Sequence, residues 1–377
     1  MQTQRAKIKR YQPTEIMDAT KDYRLLENRF EGFDKFYKYM LATGDWSPDI
    51  NVERWMANDL DFDFEKRCVM AFFHGATYAG PCESMFADRF PKITYENIEE
   101  VVDFYVENKK RLLFSPDCKY RKIVFEKFLR SVGEAIKPYG SLGKYIEASF
   151  SAGDDFQNYN DLQSRCMTEW YHWGRMGHWC FAEALWNFVD APIEPPTMEF
   201  KTGKSHRSGW AFCIGRDDLT GDKVSQEDIM LLEQTAADYI KTIDHPDANF
   251  LTLETCCCNY KRQHKGSRYG GCYIDEQHWE MEEMKKTWPE YNWLWDKYLE
   301  GRKSALPNEV LGELHVNFQG EDTAYVPSWN KALKDYGRIP RVEAFFNKKP
   351  QIWMGLNGAK KHWHTISDEP NLNTFFH

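Results

Sequence analysis

The sequence lacks any apolar run long enough to cross a bilayer. Its longest charge-free stretch, Cys68 to Cys82, has 15 residues and contains His74, two glycines and Pro81. A spanning helix needs about 20 apolar residues, so this stretch reads as a buried segment. The first residues, MQTQRAKIKRYQ, have no apolar core of the kind a signal peptide requires. The ten cysteines show no C-x-x-C pair and no regular spacing, and three of them, Cys256, Cys257 and Cys258, are adjacent. That excludes a disulfide framework and fits a reducing compartment. Also absent are G-x-G-x-x-G, G-x-x-x-x-G-K-[ST], G-x-S-x-G and H-E-x-x-H. Dinucleotide, P-loop, nucleophile-elbow and zincin chemistry therefore have no sequence support. His362 and His364 could chelate only on a strand and lack a third ligand nearby, so they read as a solvated pair, and no metal site is assigned.

Aromatic side chains are abundant: 14 Trp, 20 Tyr and 25 Phe among 377 residues. Most such rings fill cores, although some can stack on bases. With 42% hydrophobic and 28% charged residues the chain is neither disordered nor a membrane protein. A net charge of −9 argues against a protein that coats nucleic acid, yet a local basic groove remains compatible with it.

Periodicity predicts a mostly α fold. Leu26, Phe30, Phe33, Phe36, Tyr37 and Met40 recur at helical spacing, as do apolar positions in Val52–Leu60, Ile98–Val106, Tyr120–Ile136, Leu162–Trp173, Trp179–Phe188 and Leu251–Tyr260. Ser225 caps a further helix through Ile240. No internal repeat and no βαβ alternation is present. Residues 1–22 read as an N-terminal arm, 23–318 as a helical domain and 319–377 as a small irregular extension, with some strand expected in QIWMGL and a helix over Glu309–Val316. Residues 191–222, rich in Pro and Gly, are expected to form an irregular functional loop.

Three basic islands interrupt the acidic average. From Lys109 to Lys137, nine Lys and Arg face only Asp117, Glu126 and Glu134; Lys201, Lys204, Arg207 and Arg216 form a second island; Lys261, Arg262, Lys265 and Arg268 form a third. Such clusters suit phosphate, since each cation displaces a condensed counterion and arginine adds a two-pronged fork. A solvated helix face is the plain alternative. The most distinctive segment is ETCCCNYKRQHKGSRYGGCYID, Glu254 to Asp275. Glu254, Cys258, Lys261 and Arg262 fall on one helical face, so a carboxylate, a thiol and two cations are presented together. The carboxylate suits a general base and the cations a leaving-group clamp. A surface ion pair for Glu254 and a helix cap for Asp275 are the competing readings. The cysteines read as core packing, because nothing visible lowers a thiol pKa.

An ordered set of motifs carries a resemblance. NRFEGFDKFYKYML, EKRCVMAFFHGATYAGPCESMFADRFP and LLFSPDCKYRKIVFEKFL are followed by WGRMGHWCFAEAL, SHRSGW and LETCCCNYKRQHKGSRYGGCYID. In that order, over residues 24–315, the chain resembles the bacteriophage amino acid:DNA transferases of thymidine hypermodification. The resemblance implies a helical fold related to DNA glycosylases. It implies transfer of an amino acid, with glycine or serine the first candidates, onto 5-hydroxymethyluracil in phage DNA. That base carries a phosphate or pyrophosphate ester on its hydroxymethyl group, which the amino acid displaces, in the cytoplasm of an infected host. By the same resemblance Glu254, Asp275 and Glu183 are the catalytic candidates. Arg121, Lys122, Arg175, Ser205, Arg207, Lys261, Arg262 and Arg268 are the candidates for binding phosphate and DNA, and Trp179 and Tyr269 those for base stacking. Asp117 falls in the same motifs, while Cys118 and the triple cysteine depart from them.

The chemistry requires cations at the leaving group, with or without Mg²⁺, and no other cofactor is implied. The incoming α-amine arrives protonated, and the target base must leave the stack at a cost of a few kcal/mol. The alternatives are a glycosylase-like or other helical DNA-processing enzyme, or a non-enzymatic phage DNA-binding protein.

Overall fold

The computed structural model describes residues 25–44, 46–115, 118–150, 153–264 and 272–305. Of Thr43, Lys119, Tyr120, 262–264 and most of 272–279 only the backbone is described. Among the described residues the structure is all helical: α1 (Leu26–Thr43), α2 (Pro48–Asp59), α3 (Phe64–Thr77), α4 (Gly80–Arg89), α5 (Ile98–Asn108), α6 (Lys119–Ile136), α7 (Leu142–Glu147), α8 (Asp155–Glu169), α9 (Arg175–Phe188), α10 (Lys204–Cys213), α11 (Gln226–Ile240), α12 (Phe250–His264), α13 (Cys272–Thr287) and α14 (Asn292–Ala305). The mostly α expectation is met. No described helix is long and apolar enough to cross a membrane.

The 191–222 stretch is less irregular than its composition suggests. Gly203 occupies the N-cap of α10, and a 3-10 turn follows at Asp217–Thr220. Trp210, Ala211, Phe212 and Cys213 are buried, so tertiary burial stabilises a helix in a segment of weak local propensity. The expected C-terminal extension, with its strand and the helix over 309–316, lies outside the described residues, as does the N-terminal arm.

Within the described residues the chain forms two compact units, one of 25–47 and Thr197–Glu276, the other of Pro48–Pro196 and Gln277–Ala305. In the first unit α1, α10, α11 and α12 pack together. Their core is a ring cluster in which Phe33 meets Trp210, Tyr239 and Tyr260 at centroid distances of 5.6, 5.9 and 5.4 Å. The polar tips are satisfied: Trp210 donates to Thr235 Oγ1 at 3.0 Å, and Tyr37 meets Thr252 Oγ1 at 2.7 Å. Each buried ring contributes roughly 1.5–3 kcal/mol.

The second unit is built around α3, which packs on α4 and α9. Asp63 starts α3 by accepting from Lys66 N at 2.8 Å, and the helix is then apolar nearly all round, as a central helix must be. Its own Phe72 and Phe73 and the neighbouring Phe86, Phe125, Phe128, Trp170, Trp173 and Phe181 are all buried. The α3–α9 approach depends on Gly75. A Cβ there would lie 2.6 Å from the Gly177 carbonyl oxygen and 2.7 Å from Phe181 Cβ, and helix backbones cannot yield that much.

Gly75→Ala should therefore lower the unfolding free energy by about 1–3 kcal/mol. Gly174→Ala, where nothing lies within 4 Å of the added carbon, should stay within about 0.5 kcal/mol of the parent; denaturant titration of both reads the difference.

A second prediction concerns His178 on α9, wholly buried between Tyr159 and Phe181 with no hydrogen-bond partner for either ring nitrogen. Burial, and then the charge of Arg175, push its pKa down to about 3. The unfolded chain regains a histidine titrating near 6.5, so the stabilisation present above that pH is lost as pH falls towards the folded value. Between pH 7 and pH 5 the parent should lose about 2 kcal/mol more unfolding free energy than His178→Leu. Equal losses would show that the ring is not held neutral.

Candidate active site in the first unit

Helix α12 lies against α10 because Gly209 has no side chain: a Cβ there would collide with the Cys257 carbonyl oxygen and sit 2.8 Å from its carbon. The close seating brings the predicted face of α12 onto α10. Glu254 Oε1 lies 2.9 Å from His206 Nδ1, with the imidazole 1% and the carboxylate 13% exposed. Cys258 offers its sulfur to the same group: ligand atoms of His206, Glu254 and Cys258 all lie within 4.8 Å of one another. Further along the face, Lys261 Nζ donates to Ser205 O at 3.0 Å and to Ser208 Oγ at 2.9 Å.

His206 is held from every side. Its Nε2 lies 2.7 Å from the Met198 carbonyl oxygen, which can only accept, so that nitrogen carries a proton. Phe200 stacks on the ring at 5.3 Å. Both loop residues are pinned in turn by Glu233 of α11, whose carboxylate accepts from Met198 N at 2.7 Å and Phe200 N at 2.8 Å. The other ring nitrogen, Nδ1, faces the Glu254 carboxylate. This is an acid–base couple of fixed orientation.

The thiols contribute differently. Cys256 and Cys257 are fully buried. Burial pushes the Cys257 thiol well above its usual range, and the neighbouring cysteines and Glu254 add to this. A protonated buried thiol packs but does not attack. Cys258, partly exposed, is the member of the triplet that faces the His206–Glu254 couple.

The other sequence-predicted residues fall as follows. Arg207, 5% exposed, donates to Phe200 O at 3.0 Å and Gly221 O at 2.9 Å, so its fork clamps two loop carbonyls. Lys204 pairs with Asp222, and Arg216 with Asp218 at 2.8 Å and Asp228 at 3.1 Å, so the second basic island meets acids that its own residues lack. In the second unit Arg121 donates to the Gly75 carbonyl and lies 4.6 Å from the Trp173 ring; burial pushes its pKa down. Lys122 donates to Leu112 O at 2.9 Å. Arg175 stands 4.6 Å from the ring of Trp179, which is buried, and Glu183 is buried on the same helix. The side chains of Arg262 and Asp275, and residues Asp117, Arg268 and Tyr269, lie outside the described residues.

Sequence reasoning assigned no role to His206, although it stands between Ser205 and Arg207 in SHRSGW. It also passed over a buried polar group in the second unit. There Glu53 of α2, His74 of α3 and Glu83 of α4 meet, with His74 Nδ1 2.8 Å from Glu83 Oε2 and 3.7 Å from Glu53 Oε2. The available signal was an ionisable residue inside an apolar run, in AFFHGAT and in PCESMF.

Comparison with known proteins bears on the chemistry. The sequence profile described as amino acid:DNA transferase matches residues 31–269. The chain belongs to the amino acid:DNA transferase family. A serinyltransferase of Salmonella phage ViI is 24% identical over 331 residues, covering 79% of this chain and 78% of its own length. No solved structure matches the chain. The protein is therefore a transferase that acts on DNA with an amino acid, and most of its described structure falls within the family match.

The transferase offers a direct check on Arg207. Arg207→Lys, which keeps the charge but loses the planar fork, should lower the unfolding free energy by about 1–3 kcal/mol. A thermal melt unchanged from the parent would show that the two carbonyl contacts contribute nothing.

Proposed function

We propose that the enzyme transfers serine or glycine onto the activated 5-hydroxymethyl group of 5-hydroxymethyluracil in phage DNA, within the host cytoplasm. The observation that carries this reading is the Glu254–His206 couple, oriented by the Met198 carbonyl, with Glu254 on one helix face with Lys261. The reaction joins the amino acid's nucleophilic atom to the methylene carbon, breaks the carbon–oxygen bond to phosphate or pyrophosphate, and releases one proton. An α-amine arrives as an ammonium and must lose a proton before it can attack. The couple can take that proton, with Glu254 as the general base and His206 as its positioning partner.

Lys261 supplies positive charge for the departing oxyanion, and Arg262 and Arg268, which follow it in sequence, extend that charge. Asp275 stands as a further carboxylate and Ser205 as a further contact to DNA. Tyr269 is assigned to stacking on the unstacked base. Arg121, Lys122 and Arg207, each bonded to backbone carbonyls, are assigned to shaping the helices that carry these groups. The serinyltransferase likeness favours serine.

Incubation of the enzyme with phosphorylated or pyrophosphorylated hydroxymethyl-DNA and a pool of amino acids, followed by nucleoside mass spectrometry, tests the reaction. The expected product is an intact nucleoside carrying one amino acid. A released base would assign glycosylase chemistry instead. Glu254→Gln should reduce turnover by about 10²–10⁴-fold, or about 3–5 kcal/mol, while DNA binding persists. Full activity in that variant would move the base elsewhere. A Cys258→Ser enzyme that folds, binds DNA and is inactive would transfer the role to sulfur.

A further inference from the structure

The second unit contains a polar cluster that the proposed chemistry leaves unused. Glu53, His74 and Glu83 come from three successive helices, and each is at most 1% exposed. They offer ligand atoms all within 4.8 Å of one another. The arrangement is built into the chain path. Tyr78, in the left-handed region at φ 51°, turns the chain from α3 into α4 and bonds its N–H back to the His74 carbonyl. That turn sets His74 and Glu83 side by side. Glu83 Oε1 is then fixed at 2.6 Å from Ala79 N at the start of α4, which aims Oε2 at the imidazole. Asp49, one turn before Glu53 on α2, is held by Gln277 at 2.9 Å and Tyr298 at 2.8 Å. The absent side chain of Gly80 leaves room for Asp49 and the Tyr298 hydroxyl.

A buried carboxylate is normally surrounded by donors. Glu53 has no N–H or hydroxyl donor for either oxygen and faces the carboxyl of Glu83 instead, and Gln277 Oε1 is also without a partner. The titratable side chains facing this space are predominantly acids. Glu83, Asp49 and Glu280 act on Glu53, while Glu83, Asp49 and Glu183 act on His74. Several acids of one sign around one imidazole call for positive charge at the centre. The spacing agrees with an ion as its source. Ligand atoms about 2.1 Å from one metal stand about 3.0–3.4 Å apart in octahedral or tetrahedral arrangements. The His74–Glu83 and His74–Glu53 separations of 2.8 and 3.7 Å bracket that range.

We propose that Glu53, His74 and Glu83 bind one divalent transition-metal ion inside the second unit. Two carboxylates with an imidazole form a mixed oxygen–nitrogen set that suits Mn²⁺, Fe²⁺ or Zn²⁺ better than Mg²⁺, whose usual ligands are all oxygen. Asp49, fixed by Gln277 and Tyr298, is the adjacent carboxylate that can complete or orient the set. The ion ties α2, α3 and α4 together and so stabilises the unit. This site is separate from the Glu254–His206 couple, and its existence does not rest on the transfer reaction.

The test uses the full-length protein. It is stripped with a chelator, then titrated with Mn²⁺, Zn²⁺ and Mg²⁺ by calorimetry and thermal melting. Metal content is also measured by elemental analysis after purification without chelator. The expected result is close to one equivalent of transition metal, a melting temperature that rises with Mn²⁺ or Zn²⁺, and at least tenfold weaker binding in His74→Gln and in Glu53→Gln. Glu254→Gln, in the other cluster, should bind the ion as the parent does.

A Co²⁺ complex of the unmodified protein gives a readout independent of variant folding. Coordination by Glu53, His74 and Glu83 gives no thiolate charge-transfer band, whereas coordination by His206, Glu254 and Cys258 does. Failure to bind any of the transition metals more tightly than about 1 mM would overturn the proposal. So would a thiolate band, or loss of the ion in Glu254→Gln.

Discussion

The seating of α12 on α10 at Gly209 is the contact on which the candidate active site depends. Only a residue without a Cβ lets the Cys257 backbone come so close, and only at that distance does Glu254 reach His206. Lys261 lies seven residues beyond Glu254, about two turns, and contacts Ser205 and Ser208 of the same facing helix. The face is therefore registered at both ends. The intervening cysteines are small enough to fill the seam without separating the helices, a packing role consistent with a thiol that burial keeps protonated.

Orientation in this site is relayed through a loop. Glu233 fixes the backbone N–H groups of Met198 and Phe200, and those two residues fix the imidazole by a carbonyl and a ring. The fork of Arg207 closes the same loop from its other side. A general base is effective only when its geometry is set before the substrate arrives. Here a Pro- and Gly-containing stretch of weak local propensity has its backbone groups satisfied by three ionisable side chains, Glu233, His206 and Arg207.

The second unit solves a different problem. A helix as apolar as α3 must be surrounded, and the rings of Phe86, Phe128 and Trp173, which meet its own Phe72 and Phe73, provide that. Yet the same helix carries His74 into a group of carboxylates that have few donors. The contrast between a dry aromatic core and an electrostatically incomplete polar cluster within one unit is what singles out the cluster as a site in its own right.

The sequence by itself determined the helical class and the positions of several helices, though it set one at Leu162–Trp173 where α8 runs Asp155–Glu169 and missed α10. Apolar spacing placed α1 over Leu26–Thr43 and α6 over Lys119–Ile136 within a residue or two, because a 3.6-residue period is a local property. It also determined that Glu254, Cys258 and Lys261 share a face, which follows from helix geometry alone, and the ordered motifs pointed to the family. The tertiary structure decided what each charge meets. Arg121, Lys122 and Arg207 look identical in sequence to cations awaiting phosphate, but each is engaged by carbonyls from elsewhere in the chain. His206 acquires its acid partner from a helix 48 residues later, and Glu53 acquires His74 and Glu83 from the two helices that follow it. Periodicity records which side of an element is buried; it does not record which polar atoms from distant elements converge there, and that convergence sets the chemistry.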